Sequence, residues 1–338
     1  MTVIGLITAG GDCPGLNAAI RAVTTRAVEA GARVVGFRDG WTGVMTNDFV
    51  LLDRDAVRGI LARGGTILGT SRSDPYVHGS GVASLTPTLD EHGVDVVVVV
   101  GGDGTLRSAA RLADEGLAVV GVPKTIDNDI PTTDVTFGFD TAVQIASDAI
   151  DRLTTTAEAH NRVMIVEVMG RTQGWIALYA GLSAGADVIL IPEVPMSLDE
   201  AAHVIAERHA AGHHYSVVVV AEGFPSPDAT ELARDAFGFE RLGGVAYSIA
   251  PVLERLTGFE TRVTVLGHLQ RGGTPTAFDR VLATRLGAAA GDAAVTGNTG
   301  VMVAARGTDI VTVPLSEAGA AIRGVDPALY DIARSFFG

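Results

Sequence analysis

The chain has 338 residues, 47% of them hydrophobic, with 42 glycines and only 5% aromatics. That length builds two packed lobes or one large core, and a glycine-rich, aromatic-poor composition suits tight strand–turn–helix packing better than a β-sandwich. The net charge of −14 excludes sequence-independent nucleic-acid binding through a basic face, so any phosphate site must be built locally from a few arginines and backbone N–H groups.

In chain order, the N-terminal MTVIGLIT has no basic region and no cleavage site, so it reads as a first strand rather than a signal peptide. Val3–Thr8 ends at Ala9-Gly10-Gly11-Asp12, and Leu16–Ala30 follows with helical spacing (Leu16, Ile20, Val23, Ala27). Arg33–Phe37 reads as a strand, Ala56–Ala62 as a short helix, and Leu89–Gly93 as the end of another. Val94–Val100 is a near-continuous valine run, the pattern of a strand buried on both faces of a parallel sheet. It stops at Gly101–Thr105 (GGDGT), with a helix expected from Leu106. Val119–Val122 is a strand entering the polar loop Pro123–Asp129, and Phe139–Thr154 is helical.

The second half repeats the style. Val163–Val168 runs into Met169-Gly170-Arg171, Thr172–Ala184 reads as a helix, and Val188–Ile191 as a strand. Leu198–Ala211 is a helix, Val217–Ala221 a strand ending in Glu222-Gly223, and Val245–Thr257 a helix. Arg262–Leu266 is a strand entering Gly267–Gly273, followed by the helix Phe278–Ala290; no site is readable after about Thr308. This alternation predicts an α/β chain of two Rossmann-like lobes with doubly wound, mostly parallel sheets and ligands at the C-terminal strand ends. The lobes are expected at 1–138, completed by part of 271–320, and at 139–270, completed by the C-terminal tail. The longest apolar runs are too short to span a bilayer, so a cytoplasmic protein with no membrane partner is expected.

Every glycine-rich polar signature falls just after a strand. Gly10-Gly11-Asp12 precedes a helix N-terminus, where glycines admit an anion close to unpaired N–H groups, but it lacks the Walker and dinucleotide spacings. In GGDGT, the glycines make room for phosphates and Asp103 can hold Mg²⁺ through hard oxygen chemistry. That motif alone fits NAD kinases and lipid kinases as well. Pro123-Lys124-Thr125-Ile126-Asp127-Asn128-Asp129 places two carboxylates beside a lysine and a hydroxyl, a set suited to phosphoryl transfer onto an alcohol; the plainer reading is a turn served by Asp and Asn. The lone Cys13 excludes an internal disulfide and reads as a small packed residue rather than a nucleophile. His213-His214 reads as a solvated helix end.

The strings TAGGDCPGLNAAIR, GGDGT, PKTIDND, MGR and GHLQRGG, in this order, resemble the 6-phosphofructokinase family, from Val3 to about Arg285. The resemblance implies phosphoryl transfer to the C1 hydroxyl of fructose 6-phosphate, with Asp127 as general base. Asp103 would organise Mg²⁺, Asp129 would be a further carboxylate near the metal, and Thr125 would lie along the sugar phosphate. Gly11, Gly102, Asp103, Gly104 and Thr105 would contact the donor, with Arg72 and Ser73 near its phosphates. Met169, Gly170 and Arg171 would contact the sugar, Glu222 would hold a sugar hydroxyl, and His268 and Arg271 the 6-phosphate. Arg162 and Arg262 match arginines that reach in from a neighbouring subunit, implying a homo-oligomer, dimer or tetramer, with shared active sites.

On donor choice the residues divide. Gly104 leaves open the place where pyrophosphate users carry an acid, which favours ATP. Lys124 stands where pyrophosphate users have lysine, and it adds a cation without excluding anything. ATP is therefore the expected donor, with pyrophosphate the alternative. Arg21 and Arg54 match basic positions of the family's effector pocket, whereas Thr25, Thr154, Asp187 and Ala211 leave it short of positive charge, so weak effector response is expected. A catalytically silent sugar-phosphate-binding subunit would be expected to lack Asp103 or Asp127, and both are present.

Overall fold

The structure, a computed structural model, describes residues 1–194, 196–227 and 242–338. The chain divides into two compact units, Met1–Asp140 with Arg271–Arg323 and Thr141–Gln270 with Gly324–Gly338.

The first unit opens with β1 (Val3–Thr8), α1 (Leu16–Glu29), β2 (Arg33–Phe37), α2 (Trp41–Thr46), β3 (Phe49–Leu52), α3 (Pro75–His78) and α4 (Thr86–His92). It continues with β4 (Val96–Gly101), α5 (Asp103–Asp114), β5 (Val119–Thr125) and the short β6 (Phe137–Gly138). Helix α6 (Phe139–His160) leads into the second unit: β7 (Val163–Val168), α7 (Trp175–Ser183), β8 (Val188–Leu190), α8 (Leu198–Ala210), β9 (Ser216–Ala221), α9 (Val245–Thr257) and β10 (Thr261–Val265). The chain then adds α10 (Ala277–Thr296), β11 (Val301–Arg306), β12 (Asp309–Pro314) and α11 (Leu315–Ala318) to the first unit, and α12 (Pro327–Arg334) to the second.

The first sheet has the order β12-β11-β5-β4-β1-β2-β3, with β6 paired to the end of β5. Its interior pairs are parallel, and only the edge strands β3 and β12 run antiparallel to their neighbours. The valines of β4 explain its central place: Val97–Val100 are fully buried, each worth roughly 1.5–3 kcal/mol of transfer from water. Helices α1 and α10 approach closely because their facing residues are small. A Cβ added at Gly287 would stand 2.7 Å from the Ala19 carbonyl oxygen.

The second sheet, β10-β7-β9-β8, is parallel throughout. Its core joins Ile165, Val218 and Val220 to Ile205 of α8 and Leu253 of α9. Helix α8 starts with a capping box between Ser197 and Glu200, which satisfies two otherwise orphaned amides. Helix α9 is capped instead from the sheet: the buried Glu167 of β7 accepts the N–H groups of Gly244 and Ala246 at 2.7 and 2.9 Å.

Both units are doubly wound, as the alternation of elements implied. Several details depart from the sequence expectation. Residues 54–62 run in turns rather than a helix at Ala56–Ala62. There the Asp53 carboxylate captures the Asp55 and Ala56 amides, and Gly59 adopts φ +76°, so no helical ladder propagates. Helix α5 begins at Asp103 rather than Leu106, so the GGDGT carboxylate lies in its first turn. Strand β5 extends to Thr125, so Pro123 and Lys124 are strand residues. Finally, β11 and β12 form a hairpin that the sequence reading did not foresee.

Candidate active site

In the first unit, β5, β4 and β1 lie side by side and parallel, so the loops that follow them open at one sheet edge. The chain winds from β1 to β2 on one side and returns to β4 on the other, which makes a topological switch point between β1 and β4. Gly10-Gly11-Asp12 and Gly101–Thr105 flank that point. A Cβ at Gly10 would meet Thr105 Oγ1 at 3.3 Å and Lys124 Nζ at 3.5 Å, so the glycine turn after β1, the first turn of α5 and the end of β5 lie close together.

Two buried cations converge on the glycine turn. Lys124 Nζ donates to the Gly11 carbonyl, and Arg271 Nη1 donates to the Asp12 carbonyl at 3.0 Å. Burial, above all, pushes the Lys124 ammonium below the usual lysine range. The Arg271 guanidinium fills the place a side chain at Gly11 would take, with Nη1 2.8 Å from that Cβ position. Arg271 therefore lies within the first unit, against the donor-side turn of the sequence reading.

Asp103, in the first turn of α5, is held by Arg107 Nη2 at 3.0 and 2.7 Å. Gly104 is exposed, and a Cβ there meets no heavy atom within 4 Å. Thr105 Cβ and Cγ2 press on Gly101, where no side chain fits. Arg72 is exposed. Ser73 is half-buried, and its amide donates to Ser71 Oγ at 3.3 Å. At the end of β5, Thr125, Asp127 and Asp129 are all buried. The Asp127 amide donates to Thr125 Oγ1 at 3.0 Å, while Asp127 Oδ1 is enclosed and accepts no hydrogen bond. Asn128 sits at φ +52° with its Oδ1 accepting the Thr136 amide at 3.1 Å, which turns the loop between the two aspartates.

These residues fit Mg²⁺. No group of three or more His, Cys, Asp or Glu side chains gathers as a metal cage among the described residues. Mg²⁺ usually relies on one or two carboxylates and takes its remaining oxygens from substrate phosphates and water. Asp103, in the first turn of α5, and Asp129, after β5, are hard donors of that kind.

In the second unit, β10, β7 and β9 are adjacent and parallel, so their following loops also share an edge. Glu222, after β9, accepts the amides of Gly170 and Arg171 with one oxygen, at 3.2 and 2.8 Å. This holds the turn after β7, where Gly170 has φ +146° and Arg171 φ +54°. Met169 is buried and Arg171 exposed. Arg162 just precedes β7 and Arg262 is the second residue of the neighbouring β10, and their guanidiniums converge on Glu260, with Arg162 Nε at 2.6 Å from it. Arg162 foremost, then Arg262, hold the Glu260 carboxyl below the usual range. His268 lies exposed on the 3₁₀ turn Gly267–Arg271.

Glu260 and Arg107 lie outside the sequence motifs that mark the site. An acidic residue two positions before Arg262, and an arginine one helical turn after Asp103, were the available signals. Cys13 is buried, and burial pushes its thiol up to about 12, which removes it as a nucleophile. His213 and His214 are exposed. Among the described residues, no helix is long and apolar enough to cross a membrane.

Two doubly wound units with glycine turns at their strand ends, and with buried cations and carboxylates in the first, belong to an α/β enzyme of the phosphotransferase class. The phosphofructokinase family signature matches residues 3–294, and the chain belongs to that family. It is 54% identical over 99% of both chains to a pyrophosphate–fructose 6-phosphate 1-phosphotransferase of Amycolatopsis methanolica. It is 53% identical over 97% of both chains to ATP-dependent 6-phosphofructokinase 3 of Streptomyces coelicolor. Among solved structures, a Pichia pastoris phosphofructokinase in the T-state superposes with a TM-score of 0.84 at 33% identity; the match covers 99% of this chain and 36% of that one.

Proposed function

We propose that the protein transfers the terminal phosphoryl group of ATP to the C1 hydroxyl of fructose 6-phosphate, yielding fructose 1,6-bisphosphate and ADP. The observation that carries this reading is Asp127, a buried carboxylate after β5 whose Oδ1 has no hydrogen-bond partner. A general base needs such an oxygen to accept a hydroxyl proton. As the C1 oxygen bonds to the terminal phosphorus, Asp127 takes its proton, and the bond from that phosphorus to the bridging oxygen breaks, leaving ADP. Thr125 accepts the Asp127 amide through its oxygen, so its own O–H remains a donor towards phosphate. Asp103 would hold Mg²⁺, with Asp129 as a further carboxylate nearby, and the bound ion would neutralise charge on the donor phosphates.

Gly11, Gly102, Gly104 and Thr105, with Arg72 and Ser73, line the donor side in this reading. Lys124 and Arg271 concentrate positive charge at the Gly11–Asp12 turn in an otherwise acidic protein. Residues 1–138 with 271–320 form the donor lobe, and 139–270 with the tail form the sugar-phosphate lobe. In that second lobe Met169, Gly170, Arg171, Glu222 and His268 bind the sugar phosphate. Arg162 and Arg262 serve the 6-phosphate site of a second copy. Their exposed pairing with Glu260 is a weak contact that a phosphate dianion can displace. The working form is thus a cytoplasmic homo-oligomer.

ATP is favoured because the Gly104 position is open. The second reading, pyrophosphate as donor, is supported by the buried Lys124 beside Gly11 and by relatives that carry both names. The test of the central assignment is Asp127→Asn. It should lower kcat by about 10²–10⁴-fold in a folded enzyme, and turnover equal to wild type would refute the assignment of Asp127 as the base.

A further inference from the structure

The loop between β5 and β6 carries Asp127, and residues 126–130 are buried without a break. Backbone groups in such a loop are shielded from water and need partners in the protein. Locally there are few: Thr136 donates its hydroxyl to Thr125 O at 2.8 Å and its amide to Asn128. Further partners come from the C-terminal part of the unit, some 170–190 residues later.

Strand β11 supplies one set. Asp134 N–H donates to Ala305 O at 2.9 Å, Ala305 N–H to Thr133 Oγ1 at 3.0 Å, and Gly307 N–H to the Asp134 carboxylate at 2.7 Å. Arg323 supplies the other. Its backbone N–H donates to Asp129 O at 2.8 Å, and its Nη1 donates to Thr133 O at 3.0 Å and Asp134 O at 2.6 Å. One half-buried residue therefore ties the carbonyl beside the catalytic carboxylates to two carbonyls at the far side of the same loop. Arg323 is also the last residue of the first unit. Val325, two residues on, is bound in the second unit, its amide donating to Glu193 at 3.0 Å.

We infer that Arg323 is a positioning residue for the reaction, fixing the loop that presents Asp127 and Asp129. The inference rests on the proposed role of Asp127. A guanidinium suits the task because its planar fork offers several donors in fixed geometry, whereas a lysine offers a single mobile ammonium. Its action is on placement: a shift of about 1 Å at a reacting group costs about 10²-fold in rate.

The test compares Arg323→Met and Arg323→Lys with wild type, using kcat, KM for fructose 6-phosphate and deuterium uptake of the peptide covering 126–136 in substrate-free protein. Arg323→Met should lower kcat about 10–100-fold while KM moves less than about threefold. It should also speed exchange in 126–136 at least about tenfold, with the β4 peptide unchanged. Arg323→Lys should recover part of kcat. Full kcat in both variants, exchange unchanged at 126–136, or failure of both to fold would make Arg323 purely structural and overturn the inference. Asp127→Asn is assayed alongside. If that variant keeps wild-type turnover, the reading of Asp127 falls, while the exchange data still report whether Arg323 holds the loop.

Discussion

Gly104→Asp separates donor choice from folding. Position 104 lies in the first turn of α5, is exposed, and has no heavy atom within 4 Å of an added Cβ. The side chain therefore enters free space. Replacing a helical glycine and adding an acid at a helix N-terminus each stabilise, by a few tenths to about 1 kcal/mol. Thermal stability should hold or rise slightly. In the proposed function the same carboxylate would face the ATP polyphosphate. Two unit charges about 4 Å apart at an effective dielectric of 20 repel by about 4 kcal/mol, and solvent at this exposed site screens part of that. The expected loss in kcat/KM for ATP is about 10²-fold. Initial rates in a coupled assay, with ATP and pyrophosphate as alternative donors, read this directly. The ratio of pyrophosphate to ATP turnover should rise while KM for fructose 6-phosphate stays near wild type. Undiminished ATP turnover would refute the steric and charge argument for Gly104.

Two further outcomes bear on the acceptor side. At Gly223 an added Cβ would collide with the Arg171 carbonyl oxygen, so Gly223→Ala must displace the turn that Glu222 holds. KM for fructose 6-phosphate should rise about tenfold or more with donor KM little changed; an unchanged sugar KM would detach that turn from the acceptor. If Arg162 serves a neighbouring copy, refolding inactive Arg162→Ala together with inactive Asp127→Asn should restore about a quarter of wild-type activity in a two-fold dimer. No recovery would confine the site to one chain.

The parts of the fold written locally were readable. Val3–Thr8, Val96–Val100 and Val163–Val168 are apolar runs cut by glycine or polar turns, and each forms a buried strand. The edge hairpin partners β3 and β12 were not readable. Both are largely exposed on at least one side, as in Phe49 and Leu51, so no buried run marks them. The turn at residues 54–62 was misread because Asp53 and Gly59 act on backbone geometry that apolar spacing does not report. Residue types with the right chemistry were legible at the site, since Gly, Asp, Lys and Arg cluster after strands. Their supports were not. Arg271 meets the Asp12 carbonyl 259 residues away, and Arg323 meets the Thr133 carbonyl 190 residues away. Side chain-to-carbonyl bonds of that span leave no local pattern.

The most direct measurement is the initial rate of the purified protein with fructose 6-phosphate and Mg²⁺, ATP and pyrophosphate being supplied in separate reactions. The account predicts fructose 1,6-bisphosphate formation with ATP and little with pyrophosphate. Turnover with pyrophosphate alone would contradict the donor assignment and give Lys124 the decisive part, and turnover with neither would contradict the proposed reaction itself.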